Sequence, residues 1–287
     1  MSGLFFMKKV KTFILTKSVG LYINFLSYVN PRKAMLLAYQ LFSQPRIGKL
    51  SKDNLPKFLQ SSTTETHQHN NKSFQTYTWK GNDNVILLLH GWESNASRWK
   101  KLLPYLKKTG STIIAIDAPA HGMSSGKEFN VPQYAEYIDV LIQKHQPKHI
   151  IGHSLGGIAI AYYQHHYKNN AIEKIVLLGA PSDFKIILNN YKKLLSLNSK
   201  VHRSLVAYTK ERFNIIVDDF STSNFLKNTT LEGIIAHDIF DKVVAYSESE
   251  KINTHWKKGT LITTEGFGHS LHNTELYEKI AVYLKCE

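Results

Sequence analysis

From residue 74 onward, apolar residues arrive in short, nearly unbroken runs, separated by stretches in which they recur every three or four positions. The runs are "NVILLLHG" (84–91), "STIIAIDA" (111–118), "KHIIGHS" (148–154), "KIVLLGA" (174–180), "LEGIIAHD" (231–238) and "GTLITTEG" (259–266). Runs rich in Ile, Leu and Val without alternation suit parallel strands buried on both faces. "FQTYTW" (74–79) alternates instead, as an edge strand does. Between the runs, Trp99, Leu102, Leu103 and Leu106 fall on one helical face, as do Tyr134, Ile138, Leu141 and Ile142, and later Leu276, Ile280, Tyr283 and Leu284. Pro104 should shorten the first of these helices, and Pro132 stands near the start of the second. Strands alternating with helices predict an α/β fold, a mostly parallel central sheet with helices on both faces.

Three segments break this rhythm. Residues 182–230 hold no convincing strand, but Ile187, Tyr191, Leu194 and Leu195 form a helical stripe. This predicts a helical cap inserted over the strand ends, dividing the core into 74–181 and 231–287. "SSTTETHQHNNKS" (61–73) has no apolar residue and reads as a polar linker. His67 and His69 within it lack further ligands at metal spacing. Residues 1–60 read as a helical N-terminal arm. Its second part opens at Pro31 and places Met35, Leu36, Tyr39 and Phe42 near helical spacing.

Charge sets the arm apart. Residues 1–60 carry ten Lys or Arg and one acid, so +9 of the chain's formal +14 sits there. Lys8, Lys9, Lys11 and Lys17 interrupt the apolar run, and no small-residue cleavage site follows, which disfavours a signal peptide. The run is also short of the ~20 apolar residues a spanning helix needs. A basic amphipathic helix remains, either packed on the protein's own surface or making peripheral membrane contact through residues 1–30. Nucleic acid is not an expected partner, because the lysines are not interleaved with base-stacking aromatics and no such motif is present. One cysteine, Cys286, excludes an intramolecular disulfide and a cysteine-based metal site. A cytoplasmic location fits, with the inner membrane surface as its peripheral variant.

The chemistry centres on "IIGHSLGGIAIAYY" (150–163). Gly152-His153-Ser154-Leu155-Gly156 is a G-x-S-x-G turn between a buried strand and a helix, the context of a nucleophile elbow. A serine there projects above the sheet, and the flanking glycines let strand and helix pass closely. A serine hydroxyl needs a base to take its proton. "TLITTEGFGHSLHN" supplies His269 in the loop after the last strand, with His272 more suited to face the terminal helix. The imidazole needs a carboxylate behind it. "HDIFDKVV" offers Asp241 and Asp238. The D-x-x-V pattern, with Val244 returning to the core, favours Asp241, and Asp238 suits the turn. Two backbone N–H groups should stabilise the developing oxyanion. Leu155, next to Ser154, is one, and Trp92, after the His90-Gly91 turn, is the other. The Trp92 side chain is a candidate wall for an acyl pocket. Asp117 and His121 in "IDAPAHGMSSG" are read as structural.

Taken together, "LLLHGW", "IDAPAHGMSSG", "GHSLGG", "HDIFDKVV" and "GFGHS" make residues 74–287 resemble the α/β-hydrolase superfamily. "HGWESNASRW" with "DAPAHG" is similar to bacterial esterase/lipase-like hydrolases with a basic helical arm. Ala120 departs from the glycine common before the His-Gly pair. The resemblance implies a cap after the sixth strand, which agrees with 182–230, and a serine hydrolase of carboxylic esters without metal or organic cofactor. Its serine sets it apart from the epoxide-hydrolase and dehalogenase branches, which use an aspartate. The apolar stripe in residues 182–230 favours a small ester substrate with an apolar acyl or aryl part. The same constellation serves thioesterases, amidases, aminopeptidases and acyltransferases, and a non-catalytic binding protein on this fold is the remoter alternative.

Overall fold

The computed structural model describes residues 2–285, with side chains from residue 10 onward. Cys286 and the side chains of Lys8 and Lys9 lie outside the described residues. Two compact units are formed. One comprises residues 1–44 and 183–220, and the other 45–182 and 221–287.

The larger unit is built on one eight-stranded sheet. Its strands are β1 (Thr63–His69), β2 (Lys72–Trp79), β3 (Asn82–Leu89), β4 (Ser111–Ile116), β5 (His149–His153), β6 (Lys174–Leu178), β7 (Glu232–Asp238) and β8 (Gly259–Thr264). They lie in the order β1-β2-β4-β3-β5-β6-β7-β8. Only the junctions of β2 with β1 and with β4 are antiparallel; the rest are parallel. This is the α/β-hydrolase fold, and the six apolar runs are its six parallel strands. β5 and most of β3, β4, β6 and β7 are buried, which is why no alternation marks them in the sequence.

Helices α1 (Ser2–Val29), α2 (Pro31–Ser43), α3 (Lys57–Gln60), α4 (Leu103–Lys107), α5 (Val131–His145), α6 (Leu155–Tyr167), α7 (Phe184–Leu195), α8 (Ser199–Phe213), α9 (Thr222–Leu226), α10 (Tyr246–His255) and α11 (Thr274–Leu284) complete the fold. Apolar residues of α4 and α11 pack on the sheet face that carries Ile86, Leu88, Ile113, Ile151 and Val176. A second layer links α5 to α6, α6 to α9 and α9 to α10. Pro104 falls in the first turn of α4, where its missing N–H costs nothing, so the helix is cut short rather than kinked.

The smaller unit has its own core. Ile23 and Leu26 of α1, Ala34, Ala38 and Tyr39 of α2, Leu188 and Leu195 of α7, and Val201 and Leu205 of α8 are buried together. Asn30 caps α2 by accepting from Lys33 N–H at 3.0 Å, and Asn198 caps α8 by accepting from Val201 N–H at 2.9 Å. Tyr191 O–H donates to Ala38 carbonyl at 2.7 Å, tying α7 to α2.

Three segment boundaries differ from the sequence reading. Residues 61–73 are not a linker. They form β1 and the turn of a hairpin with β2, paired from Thr63↔Thr78 to His69↔Lys72. An edge strand has only one partner and needs no continuous apolar face, so its polarity hid it; His67 alone turns inward and stacks on Phe74 at 4.9 Å. The arm ends at residue 44, not 60. α2 closes at Ser43, with Gln44 extended before Pro45, and within the larger unit Leu50 N–H bonds Gly122 carbonyl at 3.0 Å. The insertion is 183–220 rather than 182–230, because α9 packs on α6. No helix among the described residues is long and apolar enough to cross a membrane.

Candidate active site

Ser154 joins β5 to α6 with φ 53° and ψ −121°, a conformation that is uncommon for a residue with a side chain. Close packing holds it there. A Cβ on Gly156 would lie 2.3 Å from Leu89 carbonyl oxygen, and one on Gly91 would lie 2.7 Å from Ser154 Cβ. Only glycine permits either approach. The same contact sets the Gly91 turn against the elbow, with Leu155 N 3.3 Å from that Cβ position. Leu155 is the first residue of α6, so its N–H has no acceptor inside the helix. Among the described residues, Ser154 Oγ makes no hydrogen bond, and the hydroxyl is left free to meet a partner.

His90 fixes the orientation of the neighbouring peptide. Its ring is fully buried, which pushes its pKa down to about 3 and keeps it neutral. Ala118 N–H donates to its Nε2 at 2.9 Å, so the proton sits on Nδ1 and is donated to Gly91 carbonyl at 2.7 Å. That carbonyl and the Trp92 N–H belong to one planar peptide and point in opposite directions. Holding the first therefore aims the second. The Trp92 ring packs edge-on against His121 and Phe129, with centroids 5.5 and 5.9 Å away.

The structure brings Asp241 and His269 together. Asp241 Oδ2 accepts from His269 Nδ1 at 2.7 Å. Its Oδ1 accepts the N–H groups of Val243 and Val244 at 2.7 and 3.0 Å. His237 Nε2 stands 3.3 Å from Oδ2 and donates to Val244 carbonyl at 3.0 Å. Burial alone would raise this carboxyl. The hydrogen bonds from His237, His269 and the two amides outweigh it and hold the group well below the usual carboxylate range. Asp241 is therefore held as an anion with both of its oxygens accepting hydrogen bonds.

Asp238 has a different job. Its Oδ2 accepts Thr264 O–H and Phe267 N–H, both at 2.9 Å, and its Oδ1 accepts Phe240 N–H at 3.0 Å. It knits the turn after β7 to the loop that carries His269. That loop is clamped twice more. His153 Nε2 donates to His269 carbonyl at 2.8 Å, and Arg98 donates to Ser270 carbonyl at 2.9 Å. The His153 and His269 rings lie 4.7 Å apart, which sets His269 beside the residue preceding Ser154. His272 bonds Tyr277 of α11 at 2.6 Å instead. The sequence reading did not assign roles to His90, Arg98, His153 or His237. Each acts on a segment remote in sequence or through a backbone carbonyl, and neither leaves a spacing signal.

Asp117 and His121 brace the loops. Asp117 accepts from Tyr77 O–H, Ala96 N–H and Met123 N–H, each at 2.9 Å. Burial raises its carboxyl, against the pull of those donors. His121 accepts Glu93 N–H at 2.9 Å and donates to Pro119 carbonyl, and burial pushes its pKa down to about 4. Among the described residues, one group could hold a cation. Glu65, His67 and His145 each offer a ligand atom within 4.8 Å of the others. It involves edge strand β1, and Lys144 already pairs with Glu65 there.

A fixed anion behind an imidazole, a serine held in a strained turn and two directed amides can together support nucleophilic acyl transfer. Comparison with known proteins agrees with the fold. A family model for the alpha/beta hydrolase fold matches residues 84–212. A bifunctional esterase/perhydrolase of Acinetobacter calcoaceticus is 25% identical over 245 residues, covering 67% of this chain and 87% of that protein. The phospholipase YtpA of Bacillus subtilis is 25% identical over 213 residues, covering 71% and 75%. Among solved structures, an esterase from Exiguobacterium antarcticum superposes with a TM-score of 0.59 at 18% identity, covering 74% of this chain and 96% of that one.

Proposed function

We propose that this chain, which has the α/β-hydrolase fold and matches that fold's family model over residues 84–212, is a serine hydrolase of carboxylic esters. Ser154 attacks the acyl carbonyl and His269 takes its proton. The Asp241 anion holds the His269 tautomer with Nε2 turned to the serine and stabilises the imidazolium that forms. The N–H groups of Leu155 and Trp92 receive the oxyanion. His269 returns its proton to the departing alcohol. Water, deprotonated by the same base, then releases the acid and restores Ser154.

One observation carries this reading: the 2.7 Å contact between Asp241 Oδ2 and His269 Nδ1, on the loop that His153 ties next to Ser154. The esterase and phospholipase relatives support ester substrates over amides or thioesters. The apolar stripe on α7 packs into the smaller unit's own core, so it does not bear on the acyl group. Hydrolysis of a chain-length series of p-nitrophenyl esters tests it. Wild type should turn over with a defined chain-length optimum, and Ser154→Ala should lose roughly three or more orders of magnitude in kcat. Equal turnover by the two proteins would remove Ser154 from the mechanism. Turnover of thioesters or amides alone would move the reading to the other acyl-transfer classes.

A further inference from the structure

Helix α1 shows its apolar side to solvent. Ile14, Leu21, Phe25 and Tyr28 are spaced by seven, four and three residues and lie on one face, with Tyr22 and Val29 beside them; all six are more than half exposed. The opposite face and one flank are committed. Ile23 and Leu26 are buried in the core of the smaller unit. Lys17 Nζ donates to the carbonyls of Lys193 and Leu194 at the end of α7, at 3.1 and 2.9 Å. Asn24 donates to Ser196 carbonyl at 2.9 Å and accepts Asn198 N–H at 2.8 Å. These polar anchors fix the rotation of the helix, so the exposed face cannot roll inward. A contiguous apolar face of this kind marks an interaction surface.

The charge around it selects the partner. The sequence of α1 contains four lysines and no acid. Exposed Lys11 lies toward one end of the stripe, and exposed Arg32 and Lys33 follow Val29 at the other. A second copy of the chain would bring two such basic faces together, and like charges would oppose the pairing. A spanning arrangement is ruled out by the lysines and by the lack of a long enough apolar window. An anionic lipid surface meets both demands, accepting apolar side chains at its acyl boundary and basic groups at its headgroups. Tyrosines suit that depth, with apolar rings and polar tips. We propose that the outward face of α1 docks the protein, helix flat, on an anionic phospholipid bilayer. The docking is independent of the catalytic reading.

Flotation of the full chain with vesicles tests this, using phosphatidylcholine alone and phosphatidylcholine with about one third phosphatidylglycerol. The protein should float with the anionic vesicles at least tenfold more than with the neutral ones, and the difference should shrink in 0.5 M salt. Leu21→Asp with Phe25→Asp should abolish flotation while leaving circular dichroism and ester turnover unchanged, because both side chains already face solvent. Lys11→Glu with Lys33→Glu should lower it at least tenfold. Failure of the wild type to float, or flotation of the Asp variant at the wild-type level, would overturn the proposal. So would a concentration-dependent dimer in sedimentation that the Asp variant disperses, which would assign the face to a second copy.

Discussion

The imidazole of His90 never reaches the position of a reacting atom, yet it holds the carbonyl whose peptide carries the Trp92 N–H. Without that ring the peptide can rotate, and the oxyanion would lose part of one donor. Loss of a whole donor costs roughly a hundred- to a thousandfold in kcat. His90→Ala is therefore expected to lower kcat about ten- to a hundredfold with KM within about twofold, in a protein that still melts cooperatively. Unchanged kcat would show that the turn is set by other contacts. At this scale the sequence was only partly readable. Ser154, Asp241 and His269 stand in motifs whose spacing follows from strand ends. His90, Arg98, His153 and His237 act through partners up to 172 residues away, such as the Ser270 carbonyl that Arg98 holds, and no local pattern encodes that.

Among the elements, the parallel strands were legible because burial on both faces leaves unbroken apolar runs, as in Val85–Leu89 of β3. Edge strand β1 was not, since Thr63, Thr64, Glu65 and Thr66 all face solvent. Its hairpin turn offers a direct test of the correction. Asn70 and Asn71 have φ of 46° and 60°, the two left-handed positions of a two-residue turn. Glycine relieves the cost of such a φ at the second position. Asn71→Gly should raise Tm by roughly 1–3 °C in a thermal melt. A lower Tm would argue that residues 61–73 do not hold a tight hairpin. The pairing of α1 and α2 with α7 and α8 was likewise out of reach, because Ile23 and Leu188 meet across more than half the chain. That pairing also means that deleting residues 1–60 would bare Leu188, Leu195, Val201 and Leu205, so point variants of the exposed face are the cleaner probe.

For the molecule as a whole, buried neutral histidines set the response to acid. Burial pushes His90 down to about 3 and His121 and His149 to about 4, and lowers His153 well below its ordinary range. In the unfolded chain each takes up a proton near pH 6.5. Their contribution to stability is thus full above that pH. It is lost as pH falls from about 6.5 toward 4, by up to about 1.4 kcal/mol per pH unit for each ring. Asp117, raised by burial, works in the opposite direction, but the imidazoles outnumber it. Tm is expected to drop by at least about 5 °C between pH 7 and pH 5, and a flat profile would mean that these rings are charged in the native protein. Every catalytic step assigned to the molecule passes through one covalent bond, to Ser154 Oγ. Treatment with a fluorophosphonate, followed by intact-mass measurement and peptide mapping, addresses that bond most directly. The expected result is a single adduct on Ser154 that forms at least a hundredfold more slowly in His269→Ala. Ester turnover without an adduct, or an adduct on another residue, would contradict it.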